Sequence, residues 1–349
     1  MNVARIKENL LADTPITRSE GEWLFNNGSD SDLQSLASIA RNKFHSSKTA
    51  TYLVMAIVNY TNICVAKCSY CSFFKLPHQS GTYLLSFEQL CQKIDSLIKL
   101  GGTLVSFNGG FHPKLKISDY AKLFEKVHNR YPNLSFFEMT VAEFMFSCKL
   151  SRLSYAEGAR VLKSAGTQWV TGGGAEILDD EFRNRHSPGK FKVADYFTAQ
   201  QALLEEGLSS TATMVIGFDE SLEERWNHLE KLREFQDQVE KKLPSFLCWT
   251  YKPWNNTLGG KEIATQEYLR WLAVSRIYLH NFKHIRTSVL TQNERGLEGL
   301  KYGADDFDIP TEDEVTQKAG ATISHDFKQI LACSNKNGFE PLLRAPFPV

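Results

Sequence analysis

Cys64, Cys68 and Cys71 stand in the stretch NYTNICVAKCSYCSFFK, a CxxxCxxC spacing placed directly after an apolar, strand-like run from Tyr52 to Val58. Three thiolates this close on one loop can hold three irons of a four-iron, four-sulfur cluster, and the spacing supplies no cysteine for the fourth iron. That iron is left open for another ligand. A structural zinc site commonly uses two CxxC-type pairs, and no second pair is present; His78 and His112 do not lie at finger-like spacing. A disulfide framework does not suit a chain of 349 residues with seven cysteines and no secretory signal pattern. The other four, Cys91, Cys148, Cys248 and Cys333, fall inside apolar periodic segments, where cysteine behaves as a small buried hydrophobe.

Around this loop, eight β-branched or aromatic runs alternate with amphipathic stretches. They begin near Tyr52, Thr103, Leu134, Thr167, Thr211, Ser245, Ile285 and Ala304. Three of the helical stretches open on a capping box: Ser86 with Gln89, Ser154 with Glu157, and Ser221 with Glu224. Several end on glycine, at Gly101, Gly166, Gly207 and Gly303. Repeated strand and helix units imply a parallel sheet, because parallel neighbours need a crossover connection. The expected fold class is α/β, a (β/α)8 TIM-like barrel, with closure left open at the short, charged eighth run ADDFDI. Residues 1–45 read as an N-terminal extension of two helices joined by the polar NNGSDSD turn, 46–320 as the barrel, and 321–349 as a C-terminal helix and irregular tail packed on it, with Pro346 and Pro348 in the tail.

Composition narrows the partners. Forty basic and forty acidic residues balance to zero, so no electrostatic footprint for nucleic acid or an anionic membrane is present. No apolar run approaches a membrane span, and the first residues lack a basic segment followed by an apolar core. The expectation is a cytoplasmic protein, in a compartment that keeps thiols reduced.

With the aromatic Tyr70 just before its third cysteine, NYTNICVAKCSYC resembles the radical S-adenosylmethionine (radical SAM) superfamily. The segments YLLSFEQL, NGGFHP, GGGAEIL, the SPGK after it, TATMVIG, and TQ followed by YGADDF carry the resemblance from about Asn59 to about Gly320. They are similar to the menaquinone, or futalosine-pathway, group, and most like its cyclic dehypoxanthine futalosine synthases. Aminofutalosine synthases and the deazaflavin-cofactor synthases are related groups. The resemblance implies a [4Fe-4S] cluster on Cys64, Cys68 and Cys71, S-adenosyl-L-methionine as cofactor, a small-molecule substrate, and an electron donor such as flavodoxin or ferredoxin. It implies an oxidoreductase in which a 5'-deoxyadenosyl radical abstracts hydrogen from dehypoxanthine futalosine and the resulting carbon radical closes onto the benzoate ring. Alternatives are aminofutalosine synthase, which adds the radical to its substrate, or another paralogue. More distant is a non-enzymatic iron-sulfur protein, which would normally complete its cluster with a fourth cysteine.

The same resemblance places Asn108, Gly109 and Gly110 where backbone oxygens meet the amino group of SAM, and Tyr70 beside its adenine. An ordinary strand-to-helix turn and packing against the cluster loop are the plainer readings. Glu176, at a strand end, suits ribose hydroxyls or an ammonium, and the fork of Arg183 suits a carboxylate. Arg185, His186 and Lys190 compete for the same anion. Val215, Ile216 and Gly217 flank the adenine or simply end a core strand. His112 and Glu176 are the candidate catalytic groups. Thr211, Thr213 and Thr250 are candidate substrate contacts, although threonine is also a common strand residue. In a barrel all of these fall at the strand C-terminal ends, the active face. Glu143 trails the third run there and Trp249 ends the sixth. The chain departs from the family pattern at Asn108, usually glutamine, at Phe218, where a histidine is expected, and in FFEMTVAEF, which lacks the family's histidine and paired prolines.

Overall fold

The computed structural model describes residues 2–45 and 47–345. All eight sequence runs are strands, and every barrel pairing is parallel. In chain order they are β1 (Thr49–Val58), β2 (Leu104–Phe107), β3 (Ser135–Phe137) with β4 (Met139–Thr140), β5 (Trp169–Thr171), β6 (Ser209–Ser210) with β7 (Ala212–Ile216), β8 (Ser245–Thr250), β9 (His284–Thr287) and β10 (Asp306–Asp313).

The seam at the eighth strand is made. β10 pairs with β1 from Thr51 opposite Asp306 to Met55 opposite Pro310, with a register shift before Ile57. The run is longer than ADDFDI suggests, eight residues, and its charges are neutralised in place. Arg286 and Arg344 both hold Asp306, and Arg286 also holds Asp308. The interruptions lie elsewhere. The wall consists of two arcs, β3-β2-β1-β10-β9-β8-β7 and β4-β5-β6, which meet within the third and fifth strand positions. At the first break the buried Glu138 carboxylate accepts from the backbone of Gln168 and Trp169, at 3.1 Å each, in place of ladder bonds. At the second, the Thr211 hydroxyl accepts from the Gly172 amide at 3.1 Å, and Gln200 donates to the Thr211 carbonyl at 2.9 Å. Side chains take over where the backbone ladder stops.

Helices cover the outside. The three expected capping boxes are present at Ser86, Ser154 and Ser221. Gly101, Gly166, Gly207 and Gly303 all adopt the positive φ that lets a helix stop and turn into the next strand. The N-terminal segment holds three helices rather than two: α1 (Val3–Leu11), α2 (Arg18–Asn27) and α3 (Asp30–Asn42). The additional helix forms because Asn2 caps α1 and because Ile6 and Leu10, four apart, bury one face. Both α2 and α3 pack on the barrel helix Thr265–Tyr278, where Phe25 meets Trp271 edge to face at 5.5 Å.

At the other end, the segment expected as an irregular tail after a helix contains the strand β11 (Glu340–Leu343). It pairs in parallel with the first residues of β1, from Thr49 opposite Glu340 to Tyr52 opposite Leu343. Pro346 and Pro348 lie outside the described residues. Cys148 and Cys248 are buried in the core, Cys91 and Cys333 only partly, and no disulfide joins the seven cysteines.

Arg344, just past β11, reaches back to Asp306 at 2.9 Å and holds it bidentately with Arg286 alongside. Removing one member of a buried ion pair typically costs about 3–5 kcal/mol. Since Arg286 stays in place, Arg344→Met is expected to lower unfolding free energy by about 2–3 kcal/mol in urea titration.

Candidate functional site

Every strand position of the wall contributes to one cavity of about 300 Å³ at the C-terminal strand ends. Its body is apolar, with Met55, Ile57, Phe137, Leu247 and Leu290, and polar groups converge at the mouth.

The loop leaving β1 brings Cys64, Cys68 and Cys71 to that mouth. It is held from several sides: the Cys64 amide donates to Lys75 O at 3.0 Å, Ser69 N donates to His186 O at 2.8 Å, and Thr257 N and Leu258 N both donate to Ser69 O. The SPGK turn lies so close that a Cβ at Gly189 would sit 2.5 Å from the Ala66 carbonyl. The Phe111 amide donates to the Cys64 sulfur at 3.3 Å. Burial pushes all three thiols up, Cys68 to about 11, so they become thiolates only when a positive partner offsets their burial. The donor set and its electrostatic demand fit a multi-iron cluster.

Asn108-Gly109-Gly110 ends β2 beside these cysteines, and neither glycine has room for a side chain. A Cβ would stand 2.5 Å from the Tyr60 ring at Gly109 and 2.6 Å from Cys64 Cβ at Gly110. Glu143, on the helix after β4, fixes this turn. One carboxylate oxygen accepts from Gly109 N at 2.9 Å and the Tyr60 hydroxyl at 2.5 Å; the other accepts from the Thr140 hydroxyl and amide at 2.7 and 3.2 Å. Burial raises its pKa against the pull of these donors. Asn59 donates to the Asn108 carbonyl at 3.2 Å, and the Asn108 side-chain oxygen is buried with no protein partner. An orphaned acceptor of this kind facing a cavity suits a ligand donor.

Tyr70 lines the cavity, its ring stacked on Phe182 and against Phe218 at 4.9 Å, with the Lys190 ammonium 5.6 Å from the ring centre. Glu176 also lines it. Its φ is +40°, an uncommon value for a side-chain-bearing residue, and its carboxylate is paired with the buried Lys190 at 2.7 Å.

Several candidates are placed differently. Arg183 does not line the cavity: its guanidinium donates to the carbonyls of Phe191, Gly174 and Ala175 at 2.9, 3.3 and 3.1 Å, and so supports the Gly172-Gly173-Gly174 turn from below. Arg185 is spent on Glu224, and His186 bridges Ser69 and Asp219. His112 is buried outside the cavity lining, with Nδ1 accepting from Lys114 N at 3.3 Å, and burial lowers its pKa toward the neutral ring. Thr211 and Thr213 line the cavity, yet their hydroxyls serve Gly172, Thr213 donating to its carbonyl at 2.6 Å. Thr250 stands apart, accepting from Gln292 at 2.8 Å. Val215, Ile216 and Gly217 lie outside the lining as well, with the Gly217 amide donating to Glu220.

Arg286, Asp308 and Asp313 line the cavity without having been singled out from the sequence. The available signal was a charged residue inside an otherwise buried strand. Burial raises the pKa of Asp308 against Arg286, and raises Asp313 to about 6.

Comparison with known proteins places these features. The model of the radical SAM superfamily matches residues 58–232, and that of the CofH/MqnC C-terminal region matches 242–346. The chain is 35% identical over 305 residues to the cyclic dehypoxanthine futalosine synthase of Halalkalibacterium halodurans, covering 86% of this chain and 82% of that one. It is 30% identical over 324 residues to the aminodeoxyfutalosine synthase of Thermus thermophilus, covering 90% and 86%. The crystal structure of methylornithine synthase (PylB) has the same fold, with a TM-score of 0.74 over 97% of each chain at 15% identity.

The Glu143 clamp carries a prediction. Leucine at this position leaves the Gly109 and Thr140 amides without their carboxylate acceptor, at roughly 1–3 kcal/mol each, while the Tyr60 hydroxyl keeps only Tyr120. Glu143→Leu is therefore expected to unfold at clearly lower denaturant than Glu143→Gln, which keeps one acceptor oxygen and also keeps the Thr140 cap, whose hydroxyl accepts from the residue-143 amide.

Proposed function

The chain belongs to the radical SAM superfamily, and from that premise we propose that it cyclises dehypoxanthine futalosine, closing a sugar-derived carbon onto the benzoate ring in menaquinone biosynthesis. The observation that carries this reading is the single cavity that joins the three cysteines, the Asn108 turn and the apolar barrel interior. Its support on the substrate side is the 35% identity to the Halalkalibacterium enzyme over nearly the whole of both chains.

In this reading Cys64, Cys68 and Cys71 hold three irons of a [4Fe-4S] cluster. When bound, the cluster and S-adenosylmethionine supply the 5'-deoxyadenosyl radical that takes hydrogen from the substrate. The protein binds and orients. Asn108-Gly109-Gly110, fixed by Glu143, presents backbone and side-chain oxygens to the amino group of the methionine. Tyr70 walls the adenine side, and the Glu176–Lys190 pair offers a carboxylate edge to hydroxyls. Met55, Ile57, Phe137 and Leu247 give the aromatic ring of the substrate a dry seat, which keeps water from a carbon radical. Arg286 is the guanidinium on the cavity wall, already held by Asp306 and Asp308. An external one-electron donor such as flavodoxin or ferredoxin completes the system. Among the described residues no helix is long and apolar enough to cross a membrane.

A second reading, addition of the adenosyl radical to substrate as in aminofutalosine synthesis, has the support of the Thermus relative; the departures at Asn108 and Phe218 fit a divergent cyclase as well as a paralogue. One assay separates the two. Protein reconstituted without oxygen and supplied with dithionite, SAM and dehypoxanthine futalosine is expected to yield 5'-deoxyadenosine together with a product two hydrogens lighter than substrate, by mass spectrometry. An adenosyl adduct formed in a parallel reaction supplied with the aminofutalosine synthase substrate would select the second reading; SAM cleavage with both substrates returned intact would reject both. Serine in place of Cys64, Cys68 or Cys71 is expected to abolish iron retention and SAM cleavage together while leaving the far-ultraviolet circular dichroism of the barrel in place.

A further inference from the structure

Closing a carbon radical onto an aromatic ring leaves a ring carbon that must lose a proton. We propose that Asp313 accepts that proton, an assignment that rests on the cyclisation reading above. Four carboxyl groups line the cavity: Glu143, Glu176, Asp308 and Asp313. Three are occupied. Glu143 accepts from Gly109, Tyr60 and Thr140, Glu176 is paired with Lys190, and Asp308 is paired with Arg286.

Asp313 ends β10 at the active rim, is only 3% exposed, and receives hydrogen bonds from its own turn, Val315 N at 3.3 Å and the Thr316 hydroxyl at 2.6 Å. Its donors, from Val315, Thr316 and Asn59, are all neutral, and among the described residues no cation is paired with it on the cavity wall it lines, unlike Glu176 and Asp308. Its place is also fixed relative to the cofactor edge. The Asn59 oxygen accepts from Val315 N at 3.2 Å while the Asn59 amide donates to the Asn108 carbonyl, so one side chain ties the Asp313 turn to the Asn108 turn. Burial, only partly offset by Thr316, Val315 and Asn59, brings the carboxyl to about 6, which makes it a better proton acceptor than an ordinary carboxylate and still ionised at neutral pH.

The step balances as follows. A carbon–carbon bond forms between the sugar-carbon radical and the ring carbon, and the C–H bond at that ring carbon breaks. Its proton passes to the Asp313 carboxylate. The remaining unpaired electron leaves to a one-electron acceptor of the iron-sulfur or flavin class, and the ring is aromatic again.

Asparagine is as good a helix cap as aspartate but is not a base, so Asp313→Asn isolates the proton-accepting role. The experiment uses substrate deuterated at the abstracted carbon and reads four quantities: deuterium in 5'-deoxyadenosine, cyclised product, substrate affinity by calorimetry on the protein without its cluster, and thermal unfolding. The wild-type arm is read first. If wild type transfers deuterium but forms no cyclised product, the reaction reading is wrong and the Asp313 assignment falls with it. If wild type cyclises, Asp313→Asn is expected to bind substrate and still transfer deuterium while cyclised product falls by about 100-fold or more, with Asp313→Glu recovering part of it. Product at the wild-type rate in Asp313→Asn overturns the assignment. Joint loss of affinity, deuterium transfer and product overturns it as well, since that pattern means the side chain only builds the rim.

Discussion

One buried carboxylate organises the top of the barrel. Glu143 receives Tyr60 from the chain leaving β1, Gly109 from the end of β2, and Thr140 from the end of β4, so three successive strand ends share one anchor. The arrangement has a physical cost, because a fully buried carboxylate is poorly solvated, and its raised pKa records that cost. What offsets it is the set of four donors, two of them backbone amides that would otherwise be orphaned at the mouth of the cavity. The cysteine loop follows from this anchor. Gly110 touches Cys64 and Gly109 touches Tyr60, so the position of the turn sets the position of the first thiol.

The cations around the mouth are committed in a similar way. Arg183 supports the carbonyls of the Gly172-Gly173-Gly174 turn, Arg185 pairs with Glu224, and His186 joins the cysteine loop at Ser69 to Asp219. Lys190 is the cation of this segment that faces the cavity, and it is matched by Glu176. Each thiol is raised chiefly by burial, while Lys190 acts in the opposite direction on all three. The protein thus presents three buried sulfurs near the Lys190 ammonium, and a cationic metal cluster would supply the charge compensation that the side chains withhold.

Much of this was legible in the chain. The eight strands announced themselves by β-branched and aromatic runs, and the capping boxes at Ser86, Ser154 and Ser221 marked helix starts because a local pairing of hydroxyl and longer side chain suffices to build them. The cysteines were plain from spacing. What escaped depended on partners far away in sequence. Glu138 reads as a lone acid in an apolar strand until Gln168 and Trp169 arrive to use it, and EPLL carries no periodicity that would mark β11 before β1 offers an edge. Arg183 looked like an anion fork because residue type cannot say whether the acceptor is a ligand or a backbone carbonyl. Asp313 was hidden for the converse reason: its turn resembles an ordinary helix cap, and only the folded barrel turns that cap toward a cavity.

The substitution at Phe218 can be weighed in the same terms. Its ring packs against Tyr70 at 4.9 Å, Phe182 at 5.3 Å and Tyr251 at 4.6 Å, a continuous aromatic wall beside the cysteine loop. A histidine placed among these rings would need partners for two nitrogens, and an unpaired buried polar group is costly. Tyr251 already spends its hydroxyl on Asn256 and Gly259. The phenylalanine is therefore consistent with its surroundings as built, each ring supporting the next. The same wall packs Tyr70 beside the cysteines, with the Lys190 ammonium 5.6 Å from its ring centre. A departure from the family pattern at one position is compensated by the shape of its neighbours, so the aromatic support of the cofactor edge does not depend on the missing imidazole.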